Sequence, residues 1–226
     1  MKRCYLICIL ACLSVFCTFM GCKKDKDEEI APSNPVAKIE ATSIQSEVSG
    51  VATVKAVSPE GYEVVSSAYS GKFTLVLPET LPENKTEALG SVSGVKVSNP
   101  SVRVLDVYSV TGYSTEGKPV GEFIYGKAES ATVVTTAVYR YADGDVTVTG
   151  KLQYEDDGKS YTDNYNINLK KGWNMMYITY LTTGNTFTIT TSPKSGLIWI
   201  FDSDTDISTS ATKIMNGIRP SLTLSK

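Results

Sequence analysis

Asp202, Asp204 and Asp206 stand at alternate positions just after an apolar run, and carboxylates so spaced on a loop are hard oxygen donors of the kind calcium takes. Counted as an EF-hand loop, however, the series puts Ile207 where the turn glycine belongs and Lys213 where the closing glutamate belongs. A solvated acidic turn, with Asp206 capping a following helix, accounts for the same residues without a metal, and no cofactor is expected. Ser93-x-x-Lys96 and Ser210-x-x-Lys213 carry the spacing of a serine nucleophile and its lysine base. The Lys-Thr-Gly element that completes such a centre is absent, and chance explains both matches in a chain rich in Ser and Lys. The chain contains no His, which removes Ser-His-Asp and Cys-His catalysis, imidazole metal sites and His-ligated haem. No glycine-rich phosphate loop occurs. The expectation is a protein that is not an enzyme.

The Cys residues offer a different chemistry, because all five fall at positions 4, 8, 12, 17 and 22. Lys2 and Arg3 form a basic start, residues 5–20 an apolar run of sixteen, and charge resumes at Lys23. That run is too short to span a bilayer and has the layout of a secretory signal. It ends in Phe19-Met20-Gly21-Cys22, a small residue and then Cys, which resembles the signal of bacterial envelope lipoproteins. The resemblance implies cutting before Cys22, a diacylglycerol on its thiol and a further acyl chain on its amine. Each buried CH₂ contributes ~0.8 kcal/mol, so two or three chains hold a domain at a membrane. Residues 1–21 are then the signal peptide. The four other Cys leave with it, and no disulfide is expected.

Residues 22–35 read as the lipidated Cys and a flexible tether, charged at first and then rich in Pro and Asn. Within it, Lys26, Asp27 and Glu28 resemble the acidic surface-export signal of lipoproteins of the Bacteroides group. The location implied is the outer membrane, facing outward. Without Lys2 and Arg3, 20 basic residues face 24 acidic ones, and no basic stripe marks a nucleic-acid partner.

From Val36 onward the pattern is almost entirely strand. Segments 51–57 and 62–69 are rich in β-branched and aromatic residues. Gly71 leads into Phe73, Leu75 and Leu77, which alternate with Lys72, Thr74 and Val76 before Pro78. A Gly turn followed by Phe-x-Leu-x-Leu-Pro resembles the strand pair of transthyretin-like or carboxypeptidase-regulatory-like β-sandwich modules. The second half reads as a meander. Asp143-Gly144 predicts a hairpin between 135–141 and 146–154, and Asp156-Asp157-Gly158 one into 161–169. Lys170-Lys171-Gly172 and Thr183-Gly184-Asn185 mark the next turns. In 165–169, Tyr165, Ile167 and Leu169 face a core while Asn166 and Asn168 face water. Residues 197–201 are continuously apolar, as for a strand covered on both faces. One segment, 207–218, has helical spacing, and 222–224 reads as a terminal strand.

The fold class is therefore all-β: antiparallel β-sandwich structure with a long C-terminal meander and at most one or two short helices. Residues 78–92 interrupt the strands, which divides the chain into an N-terminal module over 36–100 and a larger sheet domain over 101–226. One sandwich over 36–226 is the alternative division.

Trp173, Trp199 and the twelve Tyr beyond Tyr5 are the side chains able to stack on sugar rings, although β cores favour the same residues. Trp199 belongs to the apolar run and to the core. Trp173 opens a strand after Lys-Lys-Gly and is the candidate ligand contact. The functional expectation is a surface binding or scaffolding module, with a polysaccharide or an envelope protein as partner and the membrane engaged through the lipid. The alternative is a structural subunit resembling fimbrillins or adhesins, which share the signal and the strand content.

Overall fold

A computed structural model describes residues 29–203. Cys22, Asp204, Asp206, the Ser210/Lys213 pair, the helix expected over 207–218 and the strand expected over 222–224 lie outside the described residues. The first strands are β1 (Lys38–Ala41), β2 (Thr53–Val57), β3 (Glu63–Ala68), β4 (Phe73–Val76), β5 (Glu87–Ala88) and β6 (Val95–Val97). Next come β7 (Arg103–Val107), β8 (Val110–Tyr113), β9 (Pro119–Ser130), β10 (Val133–Ala142) and β11 (Val146–Asp156). The series ends with β12 (Lys159–Leu169), β13 (Gly172–Leu181), β14 (Thr186–Thr190) and β15 (Ile198–Asp202). Helical structure among the described residues is confined to two short 3₁₀ turns, Glu83–Lys85 and Thr182–Gly184. The protein is all-β.

β1 and β4 pair with each other, and the other strands join in one hydrogen-bonded sheet ordered β3-β2-β8-β9-β10-β13-β14-β12-β11-β6. β15 attaches to β9, β7 to β10, and β5 to β7. Strands from before and after residue 100 therefore hydrogen-bond to each other, in β2–β8, β6–β11 and β5–β7.

Two cores result. The first gathers Ile39, Phe73, Leu75, Val54, Phe123 and Phe201 around Tyr139, Tyr141, Trp173 and Trp199. The second gathers Val146, Val148, Ile167, Leu169, Ile178 and Phe187 around Val138, Ala142 and Met176. Successive side chains of a strand point to opposite faces, so β10 sends Tyr139 and Tyr141 into one core and Val138 and Ala142 into the other. From Thr135 to Ala142 it is buried without a break.

Local turn chemistry is realised where both flanking edges are free. β11 and β12 pair in register from Val146↔Leu169 to Asp156↔Lys159, leaving a two-residue turn at Asp157 (φ 46°) and Gly158 (φ 69°). Positive φ at both central residues is the hairpin turn that matches strand twist. β13 and β14 likewise pair across the Thr182–Gly184 turn.

The hairpin predicted at Asp143-Gly144 does not form. Near that turn Tyr141 already pairs with Leu105 on one edge and Trp173 on the other, so β10 has no edge left for β11. The Asp143 carboxylate instead accepts the Arg103 amide at 2.9 Å. The C-terminal half is also not a simple meander, because β14 lies between β12 and β13 and runs parallel to β12. After Gly71, β4 alternates as predicted, with Phe73 and Leu75 buried, but its partner is β1. Within β15, Trp199 and Phe201 are buried while Ile198 and Ile200 are half-buried, so the continuous apolar run is covered fully on one face only.

Residues 29–35, read from sequence as tether, are held on the sheet. Ala31 is buried, and its amide donates to Asn166 Oδ1 at 2.8 Å. The Met175 amide donates to the Asn34 carbonyl at 2.8 Å, and the Val36 amide to that of Trp173 at 2.9 Å. Asn166, expected to face water, is half-buried because this segment covers it.

Candidate functional site

A cleft of about 410 Å³ opens where β1 and the loop after it pass over β9, β10, β13 and β15. Its volume lies within the range of small-molecule sites, roughly 300–1,000 Å³. Of the six aromatic or apolar residues in its lining, Tyr125 from β9, Tyr139 from β10, Met175 from β13 and Trp199 from β15 form the floor. The alternation of each strand puts these residues on one face. Tyr125 and Trp199 are direct cross-strand partners, as are Tyr139 and Met175. The Tyr125 and Trp199 rings stack with centroids 5.1 Å apart and planes at 24°. Phe73 meets the Trp199 ring edge-on at 5.2 Å, and the Trp199 indole N–H donates to the Glu40 carbonyl at 2.8 Å. Trp199 is thus fixed by its stack, its edge contact and its hydrogen bond.

The rim is polar. Thr42, Ser43 and Gln45 are exposed there. The loop that carries them is pinned to the outer edge of β15: the Gln45 amide donates to the Trp199 carbonyl at 2.9 Å, and the Ser46 hydroxyl donates to that of Phe201 at 2.9 Å. Covering the edge this way satisfies backbone groups that an edge strand leaves open. The charged residues of the lining are Lys38 and Glu40, paired at 2.8 Å. The hydrogen bond from Lys38 holds the Glu40 carboxyl below the usual carboxylate range. The two charges offset one another.

Tyr177 of β13 adjoins the two floor tyrosines, Tyr125 and Tyr139. Burial pushes the Tyr139 hydroxyl strongly upward, and the neighbouring Tyr125 and Tyr177 hydroxyls add to it. Burial also raises Tyr177, whose oxygen accepts a hydrogen bond from Asn34 Nδ2 at 3.1 Å. Burial thus holds Tyr139 and Tyr177 in the neutral phenol form. With aromatic rings in its floor and amide and hydroxyl groups at its rim, the cleft has the parts for stacking and hydrogen bonding.

Trp173 lies elsewhere. It is 4% exposed, packs edge-on against Tyr141 at 5.6 Å and donates its indole N–H to the Pro78 carbonyl at 2.9 Å. It also lines a separate cleft of about 450 Å³ with Pro35, Val36 and Pro78, but its ring is committed to the core. Asp202 ends β15 opposite Glu122, while Asp204 and Asp206 are outside the described residues. Among the described residues no three acidic or Cys side chains converge as a metal set. Ser93 stands in an exposed turn and Lys96 on the exposed side of β6.

Sequence reading assigned Trp199 to the core and did not pick out the site it shares with Tyr125 and Tyr139. Nothing local marks Tyr125, because the cleft exists only once β15 and the loop after β1, both distant in sequence, arrive beside β9. Also missed was a buried ion pair in the second core, Arg140 of β10 against Asp106 of β7, at 2.6 and 2.7 Å. A lone cation in an otherwise uncharged, strongly apolar strand was the available signal. Comparison of the chain with protein-family models, with curated proteins and with solved structures finds no match.

Proposed function

We propose that this protein is a lipid-anchored binding module of the bacterial outer surface, and that its cleft takes up an uncharged sugar ring of a polysaccharide. The observation that carries the reading is the cleft's composition: a rigid aromatic floor of Tyr125 over Trp199, ringed by the exposed Thr42, Ser43 and Gln45. The apolar face of a pyranose matches an aromatic plate, and its hydroxyls match amide and hydroxyl groups at the edge. The Lys38–Glu40 pair leaves no net charge to attract an ionic ligand. Membrane attachment rests on the Gly21-Cys22 junction after an apolar signal.

Native gels cast with neutral polysaccharides test it. Retardation of the soluble chain is expected in one or more of them. A ring contact contributes about 0.5–1.5 kcal/mol, so Tyr125→Ala weakens binding roughly 2- to 12-fold. Gln45→Ala, on an exposed loop, weakens it without disturbing the core. No retardation by any neutral polysaccharide, or retardation indifferent to both substitutions, removes this ligand class.

A further inference from the structure

The entering chain is built into the sheet. Along one edge β13 pairs with β10 throughout, while along the other β14 covers only Tyr177 to Leu181. Residues 34–36 occupy the part of that edge which β14 leaves open, through an antiparallel bridge of Pro35 with Asn174 and the two backbone hydrogen bonds on either side of it. On the β12 side the Asn166 side chain grips the segment twice, accepting from the Ala31 amide at 2.8 Å and donating to the Glu29 carbonyl at 3.2 Å. Asn34 adds its bond to Tyr177. Pro32 and Pro35 suit this place: each pre-sets an extended backbone and lacks an N–H that a one-sided pairing would leave unsatisfied.

We infer that residues 29–36 act as a docked strap that holds this end of the sheet against the membrane at short range, rather than as slack in the tether. The inference rests on the reading of Cys22 as the lipid anchor. From Cys22 to Glu29 there are seven Cα steps, a reach of about 25 Å at full extension. A chain free as far as Val36 would reach about twice as far. The dock therefore halves the maximum reach of the tether and keeps the Asn34/Asn166 end of the fold nearest the bilayer. The partner surface is the lipid headgroup region facing the Asn34/Asn166 end.

Two measurements on the acylated full chain test this. Hydrogen exchange reads the dock directly: amides of Ala31, Val36 and Met175 are expected to be protected, and the Ala31 and Val36 protection to be lost in an Asn34→Ala/Asn166→Ala double variant. Protection of β10 in the same spectra shows that the variant still folds. Energy transfer from a dye at Thr188→Cys, an exposed position on β14, to acceptor lipids in phosphatidylcholine vesicles reads the stand-off. It is expected to fall in the double variant, and also when eight Gly/Ser residues are inserted between Glu28 and Glu29, a change that leaves the fold untouched. Ala31 and Val36 amides that exchange freely, or transfer that does not fall on insertion, overturn the inference. Absence of acyl mass at Cys22 defeats the anchor reading instead, and leaves the dock to be judged by exchange alone.

Discussion

Asp106→Ala should be among the most destabilising single changes in this protein. Arg140 and Asp106 face each other across β10 and β7 as register partners, Nε to Oδ1 at 2.6 Å and Nη2 to Oδ2 at 2.7 Å. Their side chains are 1% and 7% exposed. Tyr108 donates to Asp106 Oδ2 at 3.3 Å. Burial works against the guanidinium charge, but the Asp106 carboxylate outweighs it and holds the Arg140 pKa above its ordinary value. The group therefore stays charged and cannot escape its burial by releasing a proton. Removing one partner of a buried pair costs about 3–5 kcal/mol, because the other charge remains in a low-dielectric interior. Replacing both with apolar groups of similar volume removes that penalty. Asp106→Leu with Arg140→Met should bring the protein back to within about 1 kcal/mol of the parent, or above it. Urea unfolding of the soluble chain reads this: with m near 2 kcal/mol/M, a loss of 4 kcal/mol lowers the midpoint by about 2 M. The reasoning fails if either single alanine variant loses under about 1 kcal/mol, or if the double variant is as unstable as the two single losses added together.

Cys22→Ser should block lipid attachment and signal cutting together, and intact mass measurement of membrane-extracted protein would show either the unmodified precursor or, against the prediction, a processed chain. Tyr139 keeps its proton in the fold beyond the ordinary tyrosine value near pH 10. Its contribution to stability is thus fully present below about pH 10 and lost as pH rises further. A share of the phenolate absorbance that appears only with alkaline unfolding, and is missing in Tyr139→Phe, is the expected record; ionisation of every tyrosine in folded protein contradicts it. The hydrogen bond from Lys170, helped by the Lys171 amide, holds the Asp145 carboxyl below its usual value. What it adds to stability is present above the ordinary carboxylate pKa and disappears as pH falls through the folded one; carboxyl NMR titration should show the depression shrinking in Lys170→Ala. Gly150 has φ 118°, and a Cβ there would run into the Gly94 carbonyl. Gly150→Ala should therefore lose about 1–3 kcal/mol and loosen β6 from β11, while Gly117→Ala, also at positive φ but in open space, should lose less.

Strand-by-strand, the pattern of side chains was legible because it is a local property. Phe73 and Leu75 alternate with polar neighbours, Tyr165, Ile167 and Leu169 do the same, and both sets are buried as their period requires. Asp157-Gly158 could be read for a similar reason: two successive residues that tolerate positive φ specify the turn whatever surrounds them. Edge pairing was not legible. Every strand presents the same N–H and C=O groups along both edges, so nothing in 135–141 says that its neighbours will be β7, β9 and β13 rather than β11. Asp143-Gly144 had the residues of a hairpin, and the competition of other strands for β10 overruled them. Hydrophobic period was equally silent about residues 29–35, whose Pro and Asn look like linker until Asn166 and the open edge of β13 supply partners.

For the candidate site the division falls in the same place. Tyr139 and Trp199 were visible as aromatic residues in strands, but a face can be assigned from periodicity only when the other face is polar, and β10 is buried on both. Composition and alternation by themselves determined that this chain builds β-sheet and which side chains each strand hides. Tertiary structure decided which edges meet, and through them that Tyr125 lies on Trp199 beneath a loop fastened by Ser46. The physical reason is that burial is encoded by each side chain separately, whereas backbone hydrogen bonds are alike everywhere and are allotted only when all the strands compete for them at once.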